Sequence, residues 1–254
     1  MRTLNMFQGS KEWYAERSRR FTASEAPAMM GASKYQSRDE LLYQKATGIV
    51  PEVTEAKQAL FDRGHRAEAA ARRIVEDMLG QDLYPVTAVS DEDDRLLASL
   101  DGCTIDETTL YEHKLWSEGL AAQVRARDLE PHYYWQLEQQ LLVVGAEKVI
   151  FVCSDGTPEK FVSMEYRPVP GRADALRAGW DQFAADLAAY VPTEPAAPAM
   201  AAPLESLPAA VVQVQGALTV AGNLPAFGQA LRDFIARIPA RPATDQQFVD
   251  AEAA

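Results

Sequence analysis

Two cysteines, Cys103 and Cys153, are all that the 254 residues contain. They are too few for a disulfide framework, a metal–cysteine cluster or an iron–sulfur centre held by this chain alone. Long hydrophobic runs are missing as well: stretches such as Leu141-Leu142-Val143-Val144 fall far short of the ~20 apolar residues that cross a bilayer. The opening MRTLNMFQGSKEW has no apolar segment of signal-peptide length. Basic charge is in deficit, with 25 Lys and Arg against 37 Asp and Glu and a net charge of −12. That balance excludes a histone-like protein that coats nucleic acid by general electrostatics. Any nucleic-acid role needs a local basic lining, or metal ions that neutralise carboxylates at the site. We therefore expect a soluble, cytoplasmic protein with no membrane partner.

What is present is a core-forming chain, 47% apolar, large enough for one sizeable core with an appendage. Residues 1–190 read as a mixed α/β domain. Ser37 and Glu40 form a capping box ahead of Leu41, Leu42 and Tyr43, which predicts a helix to about Gly48. From Thr54 to Leu79, Ala59, Leu60, Ala67, Ala70, Ala71, Ile74, Val75 and Met78 recur at helical steps. Gly64 is a candidate break in that helix, and Gly80 ends it. Leu83–Val89, Arg95–Cys103 and Thr109–Trp116 are short, partly alternating runs separated by acidic or polar turns, as strands are. Pro131 opens a helix that Gly145 stops. Lys148–Cys153 and Lys160–Tyr166 flank the hairpin signal Ser154-Asp155-Gly156-Thr157. Leu176, Trp180, Phe183 and Leu187 mark a last amphipathic helix to about Tyr190. Over residues 191–210, Pro192, Pro195, Pro198, Pro203 and Pro208 predict an extended linker. Residues 211–254 read as a small tail or partial module, with a strand at Val211–Val214, a helix at Pro225–Ile238 and a start signal at Thr244-Asp245.

The chemistry concentrates in Ser99-Leu100-Asp101-Gly102 followed by Glu112-His113-Lys114. On a strand, Glu112 and Lys114 project to one face. A turn around Asp106–Thr108 folds the chain back, so that Asp101 can lie beside Glu112. Two carboxylates and an ammonium at one point suit a divalent cation with hard oxygen ligands, and phosphodiester hydrolysis by a metal-activated water that Lys114 orients or helps to deprotonate. The triplet alone is a weak signal: Glu55-Ala56-Lys57 repeats its letters in a helical context, where i and i+2 do not share a face. Three further features strengthen it. Glu68, in Arg63-Gly64-His65-Arg66-Ala67-Glu68, offers a third carboxylate. Gln136 and Glu138, in Tyr133-Tyr134-Trp135-Gln136-Leu137-Glu138-Gln139-Gln140, lie on a helix after the Glu112 strand, and Gln136 stands where it could hold a water or a phosphate. The aromatic residues there are more in keeping with core or subunit contacts than with base stacking. Trp13-Tyr14-x-x-Arg17 precedes Thr22-Ala23-Ser24-Glu25 at a helix start, where backbone N–H groups, Ser24 and Arg17 would make an anion pocket.

The order W-x-x-x-R, T-A-S-E, R-G-x-x-x-E, S-x-D-G, E-x-K and Y-Y-x-Q-L-x-x-Q resembles the YqaJ-type phage recombinases, relatives of lambda exonuclease within the PD-(D/E)xK nuclease superfamily. The resemblance spans roughly residues 5–190 and implies a restriction-endonuclease-like α/β fold, a central mixed sheet flanked by helices. It implies metal ligation by Asp101, Glu112, the His113 backbone carbonyl and Glu68, with Lys114 as the catalytic lysine and Gln136 as a water-positioning amide. Arg17, Ser24 and Ser99 match positions that hold a terminal 5′-phosphate. Leu100 stands where the superfamily usually has proline, and Arg125 and Arg127 are candidates for a second phosphate-binding arginine by proximity alone. The implied activity is Mg²⁺-dependent 5′-to-3′ digestion of one strand of linear double-stranded DNA, with Mn²⁺ able to substitute, leaving a 3′ overhang. The implied partners are linear duplex DNA, a phage single-strand annealing protein and further copies of the chain in a trimeric ring. Two alternatives stay open: a PD-(D/E)xK endonuclease cutting internally, and a catalytically silent adaptor for DNA ends or the annealing protein.

Overall fold

The computed structural model describes residues 1–50 and 54–192. The expected linker beyond Pro192, the strand at Val211–Val214, the helix at Pro225–Ile238 and the signal at Thr244-Asp245 lie outside the described residues. Along the chain run β1 (Arg2–Leu4), α1 (Lys11–Arg19), β2 (Phe21–Thr22), a 3₁₀ turn (Ala23–Glu25) and α2 (Ala26–Met29). Then follow α3 (Arg38–Thr47), α4 (Glu55–Leu79), β3 (Tyr84–Val89), β4 (Leu96–Cys103) and β5 (Thr109–Leu115). The series closes with α5 (Glu118–Ala126), α6 (Pro131–Val144), β6 (Lys148–Ser154), β7 (Phe161–Tyr166) and α7 (Arg172–Ala189). Met1–Pro192 form one structural unit.

Local chemistry sets the element limits. The Ser37–Glu40 capping box opens α3, and Gly48, at φ 71°, closes it. Pro131 begins α6, which Gly145 ends at φ 77°. Gly64 does not break α4, which runs unbroken through it. A glycine costs about 1 kcal/mol against alanine in a helix interior, too little to interrupt a helix with good formers on both sides. The buried stripe of α4 is also narrower than its periodicity predicts. Ala67, Ala71 and Val75 are buried, whereas Leu60 and Met78 are exposed. The sequence reading lacks α1, α5 and the short strands β1 and β2.

The sheet is mixed, in the order β1-β3-β4-β5-β6-β7, with β2 pairing β4 off this path. β5 and β6 are parallel over seven register pairs from Thr109↔Lys148 to Leu115↔Ser154. Helix α4 covers one face, closing Ala71 and Val75 over Leu83, Tyr111, Ile150 and Val152. The other face carries α2, α3, α6 and α7 over the main core, which includes Phe21, Leu41, Leu137, Phe151, Trp180 and Phe183. There Phe21 stacks on Trp180 at 4.5 Å. Gln139, fully buried, knits this region together. Its Nε2 donates to the carbonyls of Phe21 (2.8 Å) and Leu97 (3.3 Å), and its Oε1 accepts from Trp180 Nε1 at 2.7 Å. Each polar atom in that set is thereby paired, as burial demands.

Two irregularities in β4 shape its C-terminal end. On one edge, Leu100 and Cys103 face Val86 and Tyr84, so Asp101 and Gly102 together oppose Pro85 alone. This is a β-bulge, a device that re-aims a side chain, and Pro85 has no N–H to give to a regular ladder. On the other edge, β4 pairs β2 at Leu96–Leu97 and β5 only at Gly102↔Tyr111 and Cys103↔Leu110. Beyond that short hairpin β4 and β5 part, and the fork opens at Asp101.

Candidate active site

The hairpin that brings Asp101 to Glu112 is closed by hydrogen bonds at its tip. Thr104 N–H donates to the Thr109 carbonyl at 3.0 Å, and the Asp106 carboxylate accepts from the hydroxyls of Thr104 (2.6 Å) and Thr108 (2.9 Å). Past the fork, the His113 N–H has no strand partner on that edge and donates to Asp101 Oδ2 at 2.8 Å. Along β5, Glu112 shares the face of Leu110, toward α6. Its carboxylate is the hub of the site. Lys114 Nζ (2.6 Å) and Gln136 Nε2 (2.7 Å) donate to Oε1, and Gln140 Nε2 (2.6 Å) donates to Oε2. Lys114 Nζ also reaches Gln136 Oε1 at 3.1 Å, so ammonium, amide and carboxylate close a triangle.

Gln136 and Gln140 are one helical turn apart on α6 and so meet the same target. Gln140, the closing residue of the Y-Y-x-Q-L-x-x-Q pattern, is the site residue to which the sequence alone assigns no role. The four-residue spacing from Gln136 was the available signal. Its Oε1 is buried and without a protein partner. Glu138, by contrast, points away from the site: it accepts from Tyr166 Oη at 2.5 Å and from Val169 N–H at 3.0 Å.

Glu68 enters from α4, held by Arg72 at 2.7 Å, with Tyr111 Oη donating to its main-chain carbonyl at 3.0 Å. The three carboxylates feel one another. Burial pushes Asp101 well above the ordinary aspartate range, and Glu112 and Glu68 push it further, against the pull of Lys114 and the His113 N–H. Burial likewise raises Glu68; the Arg72 guanidinium opposes that rise and the charge on Glu112 adds to it. Burial works to lower Lys114, but Glu112 and Asp101 outweigh it and the net shift is upward, which favours the ammonium. His113 is driven down to about 4 by burial, so its ring is neutral at pH 7, beside Ser154 Oγ at 3.0 Å.

Among the described residues, no three His, Cys, Asp or Glu side chains stand grouped as a metal cage, because Glu112 and Glu68 are turned to Lys114, the two glutamines and Arg72. The donor chemistry nevertheless fits a hard divalent cation. All the candidate ligands are oxygens, the charge on Glu112 adds to the proton affinity of Asp101 and Glu68, and Mg²⁺ needs only one or two carboxylates because it keeps several waters.

A second cluster adjoins the first. Ser99, two residues before Asp101 on β4, accepts from Trp13 Nε1 at 2.9 Å. The Arg17 guanidinium lies over the Trp13 ring, 4.3 Å from its centroid, and donates to Ser24 Oγ at 2.9 Å. Ser24 Oγ in turn lies 3.1 Å from Thr22 Oγ1. The structure thus joins Arg17, Ser24 and Ser99 in one network through Trp13. The helix start at Thr22 is a 3₁₀ turn followed by a four-residue helix, so side chains rather than a helix dipole supply the polarity here. Arg125 lies over Trp116, its guanidinium 5.6 Å from the ring centroid, and Arg127 caps α5 with φ 55°.

No curated protein matches the chain. Among solved structures, two of the alkaline exonuclease LHK-Exo from Laribacter hongkongensis are similar. Each is 23% identical and covers 71% of this chain and 93% of that one, with TM-scores of 0.60 for the complex with dAMP and 0.59 for the other. This likeness is one of fold, the PD-(D/E)xK-type arrangement of a central mixed sheet flanked by helices. The model of the YqaJ-like viral recombinase domain matches residues 12–147, a span that holds every residue of both clusters. The chain belongs to the YqaJ-like viral recombinase family.

Proposed function

We propose that the protein is a metal-dependent deoxyribonuclease that digests linear double-stranded DNA from its ends, 5′ to 3′, leaving a 3′ overhang for annealing recombination. The observation that carries this reading is the junction of two clusters on one strand. Asp101 on β4 sits with Glu112, Lys114 and Gln136, while Ser99 on the same strand connects through Trp13 to Arg17 and Ser24. An internal cutter needs only the first cluster; an enzyme that starts at a phosphorylated end needs both. The exonuclease activity of LHK-Exo, a protein of the same fold, agrees with this assignment.

Asp101, Glu112, the His113 carbonyl and Glu68 would hold the metal, Mg²⁺ with Mn²⁺ as a substitute. A bound divalent cation supplies Lewis acidity, polarising the scissile phosphate and making water acidic enough to attack at neutral pH. Lys114, kept cationic by Glu112 and Asp101, places positive charge where the phosphorane-like transition state accumulates negative charge. Gln136 fixes the Lys114 ammonium and keeps an amide beside it to orient a water or a phosphate oxygen. Gln140 anchors the far oxygen of Glu112, which leaves that carboxylate one orientation. Arg17 and Ser24 present a guanidinium and a hydroxyl to a terminal phosphate, the pairing best suited to that anion.

The same reading assigns a cytoplasmic site of action, a single-strand annealing protein as partner and a ring of three copies. In a ring, a few inward basic residues per copy offset an acidic exterior. The test is digestion of one linear duplex labelled separately at each 5′ and 3′ end, with Mg²⁺ or with EDTA, beside a covalently closed circle of the same sequence. Metal-dependent release of 5′-terminal nucleotides with the circle intact is the expected result. Cutting of the circle would make the protein an endonuclease, and no cleavage of either substrate would make it an adaptor.

A further inference from the structure

A buried ion pair stands behind the Arg17–Ser24 pocket, outside both clusters of the candidate active site. The Lys45 side chain on α3 is 4% exposed and its partner Glu25 10%. The ammonium has three N–H groups and three acceptors. It lies 2.9 Å from Glu25 Oε2, 2.8 Å from the Arg17 carbonyl and 2.6 Å from the Arg20 carbonyl. Glu25 Oε2 also accepts the Thr22 N–H at 2.9 Å, which closes the turn that carries Ser24. Lys45 therefore ties the C-terminal end of α1, where Arg17 sits, to the turn that presents Ser24.

Burying a lysine and a glutamate is a poor route to stability, since an apolar pair of similar size commonly does as well. An apolar pair would, however, leave the backbone carbonyls of Arg17 and Arg20 without a donor, and it could not set local charge. Glu25 is close enough to Arg17 to act on its guanidinium electrostatically, and Arg17 and Lys45 act on each other in the same way. The three charges thus form one group with two cations and one anion. Without Lys45 the charges of Glu25 and Arg17 sum to zero; with it one positive charge is left over.

We propose that Lys45 is a positioning and specificity-determining residue for the anionic DNA end: it cancels Glu25 and leaves Arg17 facing Ser24 as an uncompensated cation. The inference rests on the proposed end-binding role of Arg17 and Ser24, and it adds that the selectivity of that pocket for a terminal phosphate is set from behind. Lys45 touches no substrate. It acts through Arg17 and Glu25.

The experiment compares the equilibrium affinity of the full chain, in EDTA, for two duplexes that differ only in a 5′-phosphate or a 5′-hydroxyl end. The ratio of the two affinities is independent of the folded fraction, so a variant that is merely less stable does not move it. Lys45→Met is expected to narrow the ratio about tenfold, the scale of losing one nearby, partly buried charge. Glu25→Gln, which keeps an acceptor for the Thr22 N–H, is expected to widen it. The double variant Lys45→Met with Glu25→Gln is expected to return it toward the wild-type value, and it tests the idea even where the single lysine variant does not fold. A wild-type chain with no preference would remove the end-binding reading and this inference together. A wild-type preference that Arg17→Ala abolishes but Lys45→Met leaves intact would overturn the inference alone. So would a Glu25→Gln ratio equal to that of the wild type, or a double variant that stays as indifferent as the single.

Discussion

The main-chain N–H of His113 donates to the carboxylate of Asp101, 2.8 Å away, at the point where β4 and β5 stop pairing. A side chain from one strand thus replaces the carbonyl that a regular ladder would offer, and the fork is held open by the same acid that serves the site. Local geometry and chemistry are coupled at this residue. Asp101 needs the fork in order to face Glu112 and Glu68, and the fork needs an acceptor in order to leave no buried N–H unpaired.

Asp101→Asn separates these two roles. The amide oxygen still accepts from His113, while the charge that crowds Glu112 and Glu68 is gone. Cleavage is expected to fall about 10³-fold or more, in line with the loss of a principal electrostatic group, and Mg²⁺ binding to weaken. In EDTA the variant is expected to melt above the wild type by ~2–4 °C, the equivalent of about 1 kcal/mol for a domain of this size. Isothermal calorimetry with Mg²⁺ and a metal-free thermal melt check both halves; a lower melting temperature would contradict the charge-crowding account.

Lys114→Ala removes the ammonium and leaves the carboxylates. Turnover is expected to drop by about 10²–10³-fold with divalent-metal affinity retained or raised, because the internal cation that occupies Glu112 is gone. Single-turnover cleavage beside calorimetric metal titration reads both. Wild-type turnover in this variant would take Lys114 out of the mechanism.

Arg17→Ala tests end recognition without touching the carboxylates. A hydrogen bond to a charged group contributes about 1.5–3 kcal/mol, so the preference for 5′-phosphorylated over 5′-hydroxyl ends is expected to shrink by roughly tenfold or more. Initial rates on the two ends, measured side by side, decide it, and an unchanged ratio would reject the pocket.

Gln139→Leu strips three hydrogen bonds from a fully buried position. The carbonyls of Phe21 and Leu97 and the Trp180 N–H lose the only amide that reaches all of them. With unpaired buried groups costing about 1–3 kcal/mol each, a fall in melting temperature of about 5–10 °C is expected, and differential scanning calorimetry is the check.

A chain shortened after Pro192 keeps every residue of both clusters and the whole of the structural unit that holds them. It is expected to fold and to digest linear duplex at a rate within about twofold of the full chain, the span expected when no contact to the reacting groups is lost. Loss of folding on truncation would move the domain boundary.

Much of this arrangement is legible in the residues themselves. Capping boxes, prolines and glycines locate α3 and α6, and alternation locates β3, β4 and β5, because each of these signals is local. The pairing of Glu112 with Lys114 follows from strand periodicity alone. What stays out of reach is tertiary. Gln140 closes the Y-Y-x-Q-L-x-x-Q motif and stands one helical turn from Gln136, but its role as a partner of Glu112 emerges only when α6 packs against the sheet. Lys45 reads as an ordinary helical lysine until α1 and the Thr22–Glu25 turn close around it. The exposed Leu60 and Met78 show the opposite error, apolar residues whose helical spacing implies a burial that the fold does not provide. The bulge at Asp101 had a sequence cue in Pro85, but only the identity of the opposing strand gives that cue a meaning.

That bulge makes the aim of Asp101 a matter of counting. Between Leu100 and Cys103 the strand carries one residue more than its neighbour, and the surplus is what turns the carboxylate toward the fork. Loss of Gly102 would restore a regular ladder and remove the bend beside Asp101, with every functional group still present in the chain. A residue added at the tip between Thr104 and Thr109 leaves that surplus untouched, but the tip's own bonds to Asp106 set how β4 and β5 pair. The strand just before the turn therefore tolerates no change in residue number if the acid is to keep its aim.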